Sequence, residues 1–371
     1  MSVLAAIGVL ALLIVVHELG HFLAARLQNI HANRFSIGFG PILLKYQGSQ
    51  TEYAIRAFPL GGYVGFPDDD PDSDIPPDDP NLLRNRPILD RAIVISAGVI
   101  ANLIFAYFLL VGQALTVGIP VFNDQGFPEF DYQPGVQITQ VTSEGNSPAF
   151  QAGIEAGDVV VAIDGKELGA SPQAVKSFID EVKTSPEETL EFQILRGEEK
   201  ITLAVTPRAD ENNKGKIDIG LAPNGQPLKE HPQNFAEAFT LGAKHYEKVV
   251  SLIFQGLQEL VGNFGETAKQ VAGPVGIVAM GASIASSNAG SLFEFAALIS
   301  INLAIINILP LPALDGGQLT LLLIEGLRGK PLPSKLQDGI MQTGFLLLMG
   351  LGVFLIVRDT VNLTNLQQLF Q

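Results

Sequence analysis

The sequence predicts an α-helical polytopic membrane protein with four transmembrane helices, a membrane-associated β-hairpin and one inserted α+β domain. Three observations carry this reading. Hydrophobic residues make up 47% of the 371-residue chain and charged residues only 16%, against roughly 25% charged in typical soluble domains. Four runs, Ser2 to Leu27, Ala92 to Gly118, Leu292 to Leu309 and Ile340 to Val357, are apolar enough to cross a bilayer, which takes about 20 residues of helix. The stretch 119–212 instead alternates strand-like runs with polar turns, the texture of a soluble module.

The first run has no positively charged leader segment and no small-residue cleavage site, and it carries His17, Glu18 and His21. It therefore reads as a retained helix rather than a secretory signal. Two short strands follow, Ile42 to Tyr46 and Thr51 to Phe58, around a Gly-Ser turn. The acidic, Pro-rich DDDPDSDIPPDD lacks the glycine and terminal glutamate of a calcium loop, so it reads as a solvated linker closing the loop 28–89. Arg26, Arg34, Arg84, Arg86 and Arg91 flank that loop, and Arg328, Lys330 and Lys335 lie between the third and fourth runs. Cationic residues near membrane ends stay cytoplasmic, which puts both loops inside and both termini outside.

In the module, VQITQV, DVVVAIDG, TLEFQILRG and KITLAVTP read as strands and SPQAVKSFIDEVK as one amphipathic helix. The region 213–290 reads as amphipathic and helical. Within it, 234–262 has apolar positions at helical spacing interrupted by Lys244, His245, Glu247, Lys248 and Glu259. That pattern suits a helix lying on the membrane or packed on the module better than a span. The formal net charge of −15 disfavours nucleic acid as a partner. The absence of cysteine excludes disulfides, thiolate metal sites and cysteine nucleophiles.

The chemistry is concentrated in VVHELGHF, residues 15–22. HExxH on a helix stacks two imidazoles, here His17 and His21, on one face where both reach a single zinc ion. The adjacent Glu18 is positioned to take a proton from water acidified by the metal. A third protein ligand is needed. His31, His231 and His245 lie outside the apolar runs, and the acid at a membrane end is Asp315 in NILPLPALDGG, residues 307–317. Prolines break the helix there, and Gly316 and Gly317 permit irregular backbone around the carboxylate; a plain helix-capping aspartate is the competing reading. His17 and Asp315 both lie toward the C-terminal ends of their runs, which meet only if the two helices run in the same direction. With one span between them, they do. Asn307 can donate to a polarised carbonyl oxygen, and Asn102, in AGVIAN, can either orient substrate or hydrogen-bond another helix.

With HELGH in the first span, AGVIAN in the second, NILPLPALDGG in the third and an acidic α+β insertion, the chain resembles the prokaryotic site-2 protease family, particularly the regulator-of-sigma-E protease type. FSIGFGPILLKYQGSQTEYAIRAFPLGGYVGF is similar to that family's membrane-associated hairpin, SPAFQAGIEAGDVVVAIDGKEL to a bacterial PDZ signature, and AGPVGIV to the segment before the third span. The resemblance implies zinc on His17, His21 and Asp315, Glu18 as general base, Asn307 at the substrate carbonyl, and one PDZ-like domain over 119–212. It further implies that an unwound substrate adds as a strand to the hairpin, with Thr51, Tyr53 and Ile55, and also Asn102, as candidate substrate contacts. Gln133 to Ile138 is a candidate carboxylate loop for a peptide or C-terminus at the PDZ-like domain, with an ordinary strand entrance as the competing reading. The implied activity is intramembrane proteolysis of single-pass membrane proteins, such as anti-sigma-factor-like ones, near the cytoplasmic side. The implied location is the inner membrane of a prokaryote, with the PDZ-like domain extracytoplasmic. A metal carrier or a non-catalytic adaptor with a structural zinc is the competing class; the lack of internal repeats opposes the first and intact Glu18 the second.

Overall fold

The computed structural model describes residues 2–70, 73–122, 129–142, 147–210, 213–267, 271–287 and 289–368. Its α-helices are α1 (Ser2–Leu27), α2 (Ile88–Thr116), α3 (Pro148–Gln151), α4 (Gln173–Thr184), α5 (Phe235–Gly262), α6 (Phe264–Thr267), α7 (Pro274–Ser287), α8 (Leu292–Ile308), α9 (Asp315–Arg328) and α10 (Ser334–Gln368). Two compact units divide the chain, Met1–Ile119 with His231–Thr360, and Pro120–Glu230 with Val361–Gln371. Among the described residues, Ser2–Leu27, Ile88–Thr116 and Lys335–Val361 are long and apolar enough to cross a membrane, and Pro274–Ser286 and Leu292–Ile308 are shorter apolar helices. The expected third run is thus a helix of 17 residues, about 26 Å long against a hydrocarbon core of about 30 Å.

In the first unit, small residues bring the helices together, as they must where lipid supplies no hydrophobic drive for association. Gly20 of α1 lies so near α2 that a Cβ would stand 2.4 Å from the Ala97 carbonyl oxygen. α1 stops where Asn29 turns left-handed (φ 58°) and the Ile30 N–H reaches back to the Ala25 carbonyl at 2.9 Å, a Schellman-type end. Ala106 and Leu110 of α2 pack with Val249 and Ile253 of α5 and with Ala297 and Ile301 of α8. The helix expected on the membrane surface or on the module therefore packs along α2 and α8. Its stripe includes Gly242, where a Cβ would come within 2.7 Å of Val111 Cγ2. The AGPVGIV segment opens α7, a helix that periodicity did not reveal. The Gly276 N–H donates at 2.8 Å to Asp359 Oδ2 of α10, and a Cβ on Gly273 would lie 2.6 Å from the same oxygen.

The hairpin is larger than expected. β1 (Arg34–Gln47) and β2 (Glu52–Gly65) each bend, and Gly38 and Gly40, at φ 86° and 83°, permit the bend in β1. The pairing yields four segments side by side. Segment 52–56 lies between 42–47, antiparallel to it, and 34–37, parallel to it; 34–37 pairs in turn, antiparallel, with 62–65. Part of the acidic stretch is also structural rather than free. Asp68 accepts the Leu83 and Arg84 N–H groups, each at 3.0 Å, while residues 71 and 72 lie outside the described ones.

The second unit holds a six-stranded sheet in the order Ile219–Pro227, Phe130–Val141, Val159–Ile163, Leu190–Arg196, Glu199–Val205, with Lys166–Glu167 paired to the third of these. All pairings are antiparallel. Val136, Ile138, Val160, Phe178, Phe192 and Ile194 form its core. Because Ile219–Pro227 completes the sheet, the boundary lies at Glu230 rather than 212. Gln133–Ile138 lies inside a strand rather than in a loop. Gly135 (φ 107°) passes over the neighbouring strand so closely that a Cβ would meet the Val160 carbonyl oxygen at 2.7 Å.

Arg196 ties the turn before Val159–Ile163 to the sheet, with Nε 2.8 Å from Asp158 Oδ1 and Nη2 2.9 Å from Oδ2. Burial pushes the Asp158 carboxyl up, but the Arg196 hydrogen bonds, the Glu155 N–H and the guanidinium charge outweigh it and hold the group below the ordinary carboxylate range. Such a carboxylate adds stability above the unfolded pKa of about 3.9 and loses it as pH falls through the folded value. Asp158→Asn should cost this unit about 1–3 kcal/mol at neutral pH. It should also flatten the loss of stability that the wild type shows below about pH 4. Pulse proteolysis of the full chain across pH reads both effects, and superimposable profiles would contradict the assignment.

Candidate metal centre

α1 carries His17 and His21 one turn apart, and α2 supplies the floor beneath them. Gly98 leaves the room they occupy: a Cβ there would stand 2.3 Å from His21 Nε2 and 2.8 Å from His17 Cε1. The third group arrives from the turn between α8 and α9. Leu309, which precedes Pro310, is extended (ψ 144°) and ends α8. Ala313 is left-handed (φ 71°). Gly316 and Gly317 then press on the carbonyls of Ile308 and Leu311, where a Cβ would be 2.1 and 2.2 Å away. α10 closes over this turn, with Gly344 against Pro312. Asp315 is the first residue of α9, but the cap position is Leu314, which makes no side-chain cap. The Asp315 carboxylate faces the imidazoles instead, at a helix N-terminus that favours negative charge.

Asp315 Oδ2 is 3.3 Å from His17 Nε2 and 3.4 Å from His21 Nε2, and the two Nε2 atoms are 3.2 Å apart. Ligands about 2.0–2.1 Å from one zinc ion at tetrahedral angles stand about 3.3–3.4 Å from each other. The three atoms therefore fit three corners of such a tetrahedron and leave the fourth open. His21 Nδ1 is 2.8 Å from the Val94 carbonyl oxygen, which accepts its proton and turns Nε2 toward the shared point. The expected trio thus meets, two ligands from α1 and one from the turn between α8 and α9.

A cavity of about 850 Å³ opens from this point, lined by His17, Glu18, His21, Asn307 and Asp315 and, opposite them, by residues 61–64 of the sheet. Glu18 sits against that sheet, a Cβ on Gly62 coming within 2.9 Å of its Cγ. Asn307, which also lines the cavity, has its Nδ2 3.4 Å from His17 Nε2. The hairpin candidates are placed differently. Thr51 precedes β2, is 3% exposed and donates its hydroxyl to the Ala32 carbonyl at 2.7 Å, so it is not presented to a ligand. Tyr53 and Ile55 are exposed, but segment 52–56 is paired on both sides and has no free backbone edge. The edge facing Glu18 belongs to 62–65, from the FPLGGYVGF stretch. Asn102 touches His17 and the α8 residue Ser300. Gly98 and Gly62 escaped the sequence reading because a glycine's role as a gap is visible only when the facing element is known.

The family model described as peptidase family M50 matches residues 5–351. A chain from Nostoc sp. that bears the name of a zinc metalloprotease is 60% identical over 375 residues, covering 100% of both chains. Membrane metalloprotease ARASP, chloroplastic, from Arabidopsis thaliana is 50% identical over 370 residues, covering 99% of this chain and 80% of that one. Regulator of sigma-W protease RasP from Bacillus subtilis is 28% identical over 449 residues, covering 100% and 99%. Among solved structures, the PDZ domain of an SdrC-like protein from Listeria monocytogenes is similar at 23% identity and TM-score 0.21, over 24% of this chain and 87% of that one.

Gly98→Ala should push His21 off the shared point and lower zinc affinity at least about tenfold. Chelator competition on the purified protein measures this; an unchanged affinity would mean that the two imidazoles do not share the space above Gly98.

Proposed function

The chain belongs to peptidase family M50 and is a zinc metalloprotease, and we propose that it cuts transmembrane segments of single-pass membrane proteins near the cytoplasmic side of the bilayer. One observation carries the proposal: two imidazoles and a carboxylate converge at tetrahedral spacing in a cavity that also holds Glu18. When bound there, zinc supplies Lewis acidity, which acidifies water and polarises a carbonyl. Glu18 takes the proton of the attacking water and returns it to the leaving amine, the role of a general base turned acid. Asn307 donates its Nδ2–H to the oxygen that gains charge, a contribution of a few kcal/mol in comparable sites.

A helical peptide bond has its carbonyl already engaged, so the substrate has to unwind before attack. The edge 62–65 supports this step, since an extended segment added there would run past Glu18 with its backbone groups paired. Tyr53 and Ile55 then act through the neighbouring face of the sheet rather than as the pairing strand. We further assign four spans, α1, α2, α8 and α10. The cationic residues around 26–91 and 328–335 orient them with the catalytic end inside and the PDZ-like unit extracytoplasmic. The name of the Bacillus relative supports anti-sigma-factor-like substrates.

Glu18→Gln tests the proposal. Cleavage of a single-pass substrate in proteoliposomes, read by mass spectrometry, should fall about 10²–10⁴-fold or more while bound zinc stays at one per chain. Undiminished cleavage would refute it.

A further inference from the structure

Asn102 is wholly buried on α2, one turn beyond Gly98 and two beyond Val94. Its Nδ2 lies 3.4 Å from His17 Nδ1, and its Oδ1 meets no hydrogen-bond partner among the described residues. Both features are removed by one rotation. Amide oxygen and nitrogen exchange places when the side chain flips by half a turn, and the hydrogen-bond network decides between the two orientations. Flipped, Oδ1 faces His17 Nδ1.

The chemistry of the centre requires that orientation. His17 has to offer the lone pair of Nε2, the atom 3.3 Å from Asp315 Oδ2 and 3.2 Å from His21 Nε2. A neutral ring that does so carries its proton on Nδ1, which then needs an acceptor. The unflipped amide would set N–H against N–H and leave an oxygen unsatisfied in an apolar bundle. His21 already shows the equivalent arrangement through the Val94 carbonyl. Val94, Gly98 and Asn102 follow one another at intervals of four on one face of α2. That face thus supplies an acceptor for one ring, a gap for both rings and an acceptor for the other. Ser300 Oγ of α8 donates to the Asn102 carbonyl oxygen at 2.9 Å and braces this turn.

We propose that Asn102 is a positioning residue that accepts the His17 Nδ1 proton and thereby fixes the tautomer and orientation in which His17 binds metal. The proposal rests on the zinc reading of the centre. It replaces direct contact with substrate as the role of this asparagine.

Zinc affinity of the purified full-length protein, measured by chelator competition, separates the roles. Asn102→Leu keeps the volume but loses the acceptor, and should weaken zinc about 10–100-fold. Asn102→Asp keeps an acceptor and should stay within about threefold of wild type. Ser300→Ala removes only the brace, so it should lower the melting temperature and leave zinc affinity unchanged. Wild-type affinity in Asn102→Leu, or equal losses in the leucine and aspartate variants, would overturn the proposal. Wild-type protein that binds no zinc would instead overturn the reading of the centre itself. Should the leucine variant fail to fold, the His17 Nδ1–H resonance of the zinc-loaded protein carries the test: it should be present and protected in wild type and in Asn102→Asp, and its absence from wild type would overturn the proposal.

Discussion

Three ionisable side chains have to meet one another inside an apolar helical bundle, and most of the first unit is arranged to let them. An aspartate at the centre of a membrane helix costs about 2.5–3.5 kcal/mol on insertion scales, so the groups are tolerable only where each partners the others or a metal. Contact at 3.3–3.4 Å between α1 and the α8–α9 turn demands that backbones approach more closely than ordinary side chains allow. Gly20 brings α1 onto α2, Gly98 clears the volume of two imidazoles, and Gly316 and Gly317 fold the Asp315 turn back on α8. The prolines at 310 and 312 end α8 and set the direction of the turn, and α10 holds the turn through Gly344. Every one of these positions serves the same convergence.

The part of this that could be read from sequence is the part written in local spacing. HELGH gives two ligands because a helix fixes the relation of residues four apart. Asp315 is suggested by direction, since the single crossing between the two runs leaves them codirectional, whereas an even number would have parted it from His17. The limits of α1 and α8 were also visible, because apolarity and proline mark them. Pairings between segments distant in sequence were not. The sheet arranges 34–37, 42–47, 52–56 and 62–65 in an order that alternation cannot specify, and so Tyr53 and Ile55, credible on their own strand, proved to lie on a segment with both edges taken. Asn102 looked the same whether it faced substrate, helix or histidine. Only its 3.4 Å approach to His17 distinguishes them.

The second unit follows a different physical logic. Its core is a water-excluded cluster of Val136, Ile138, Phe178, Phe192 and Ile194, sealed by antiparallel strands whose alternation showed in the sequence. Its far boundary did not show, because Ile219–Pro227 carries two prolines and three other non-strand formers, Gly220, Asn224 and Gly225, and is held in place by pairing with Phe130–Val141 rather than by its own propensity.

Asp359 ties the start of α7 to a carboxylate made 83 residues later. On a ribosome adding about 5–20 residues per second, that interval is about 4–17 seconds. Through all of it the nascent chain already holds both histidines, and for about half of it Asp315 as well, while the α7 terminus waits without that partner. All three metal-ligand side chains are thus synthesised ahead of the clasp that joins α7 to α10.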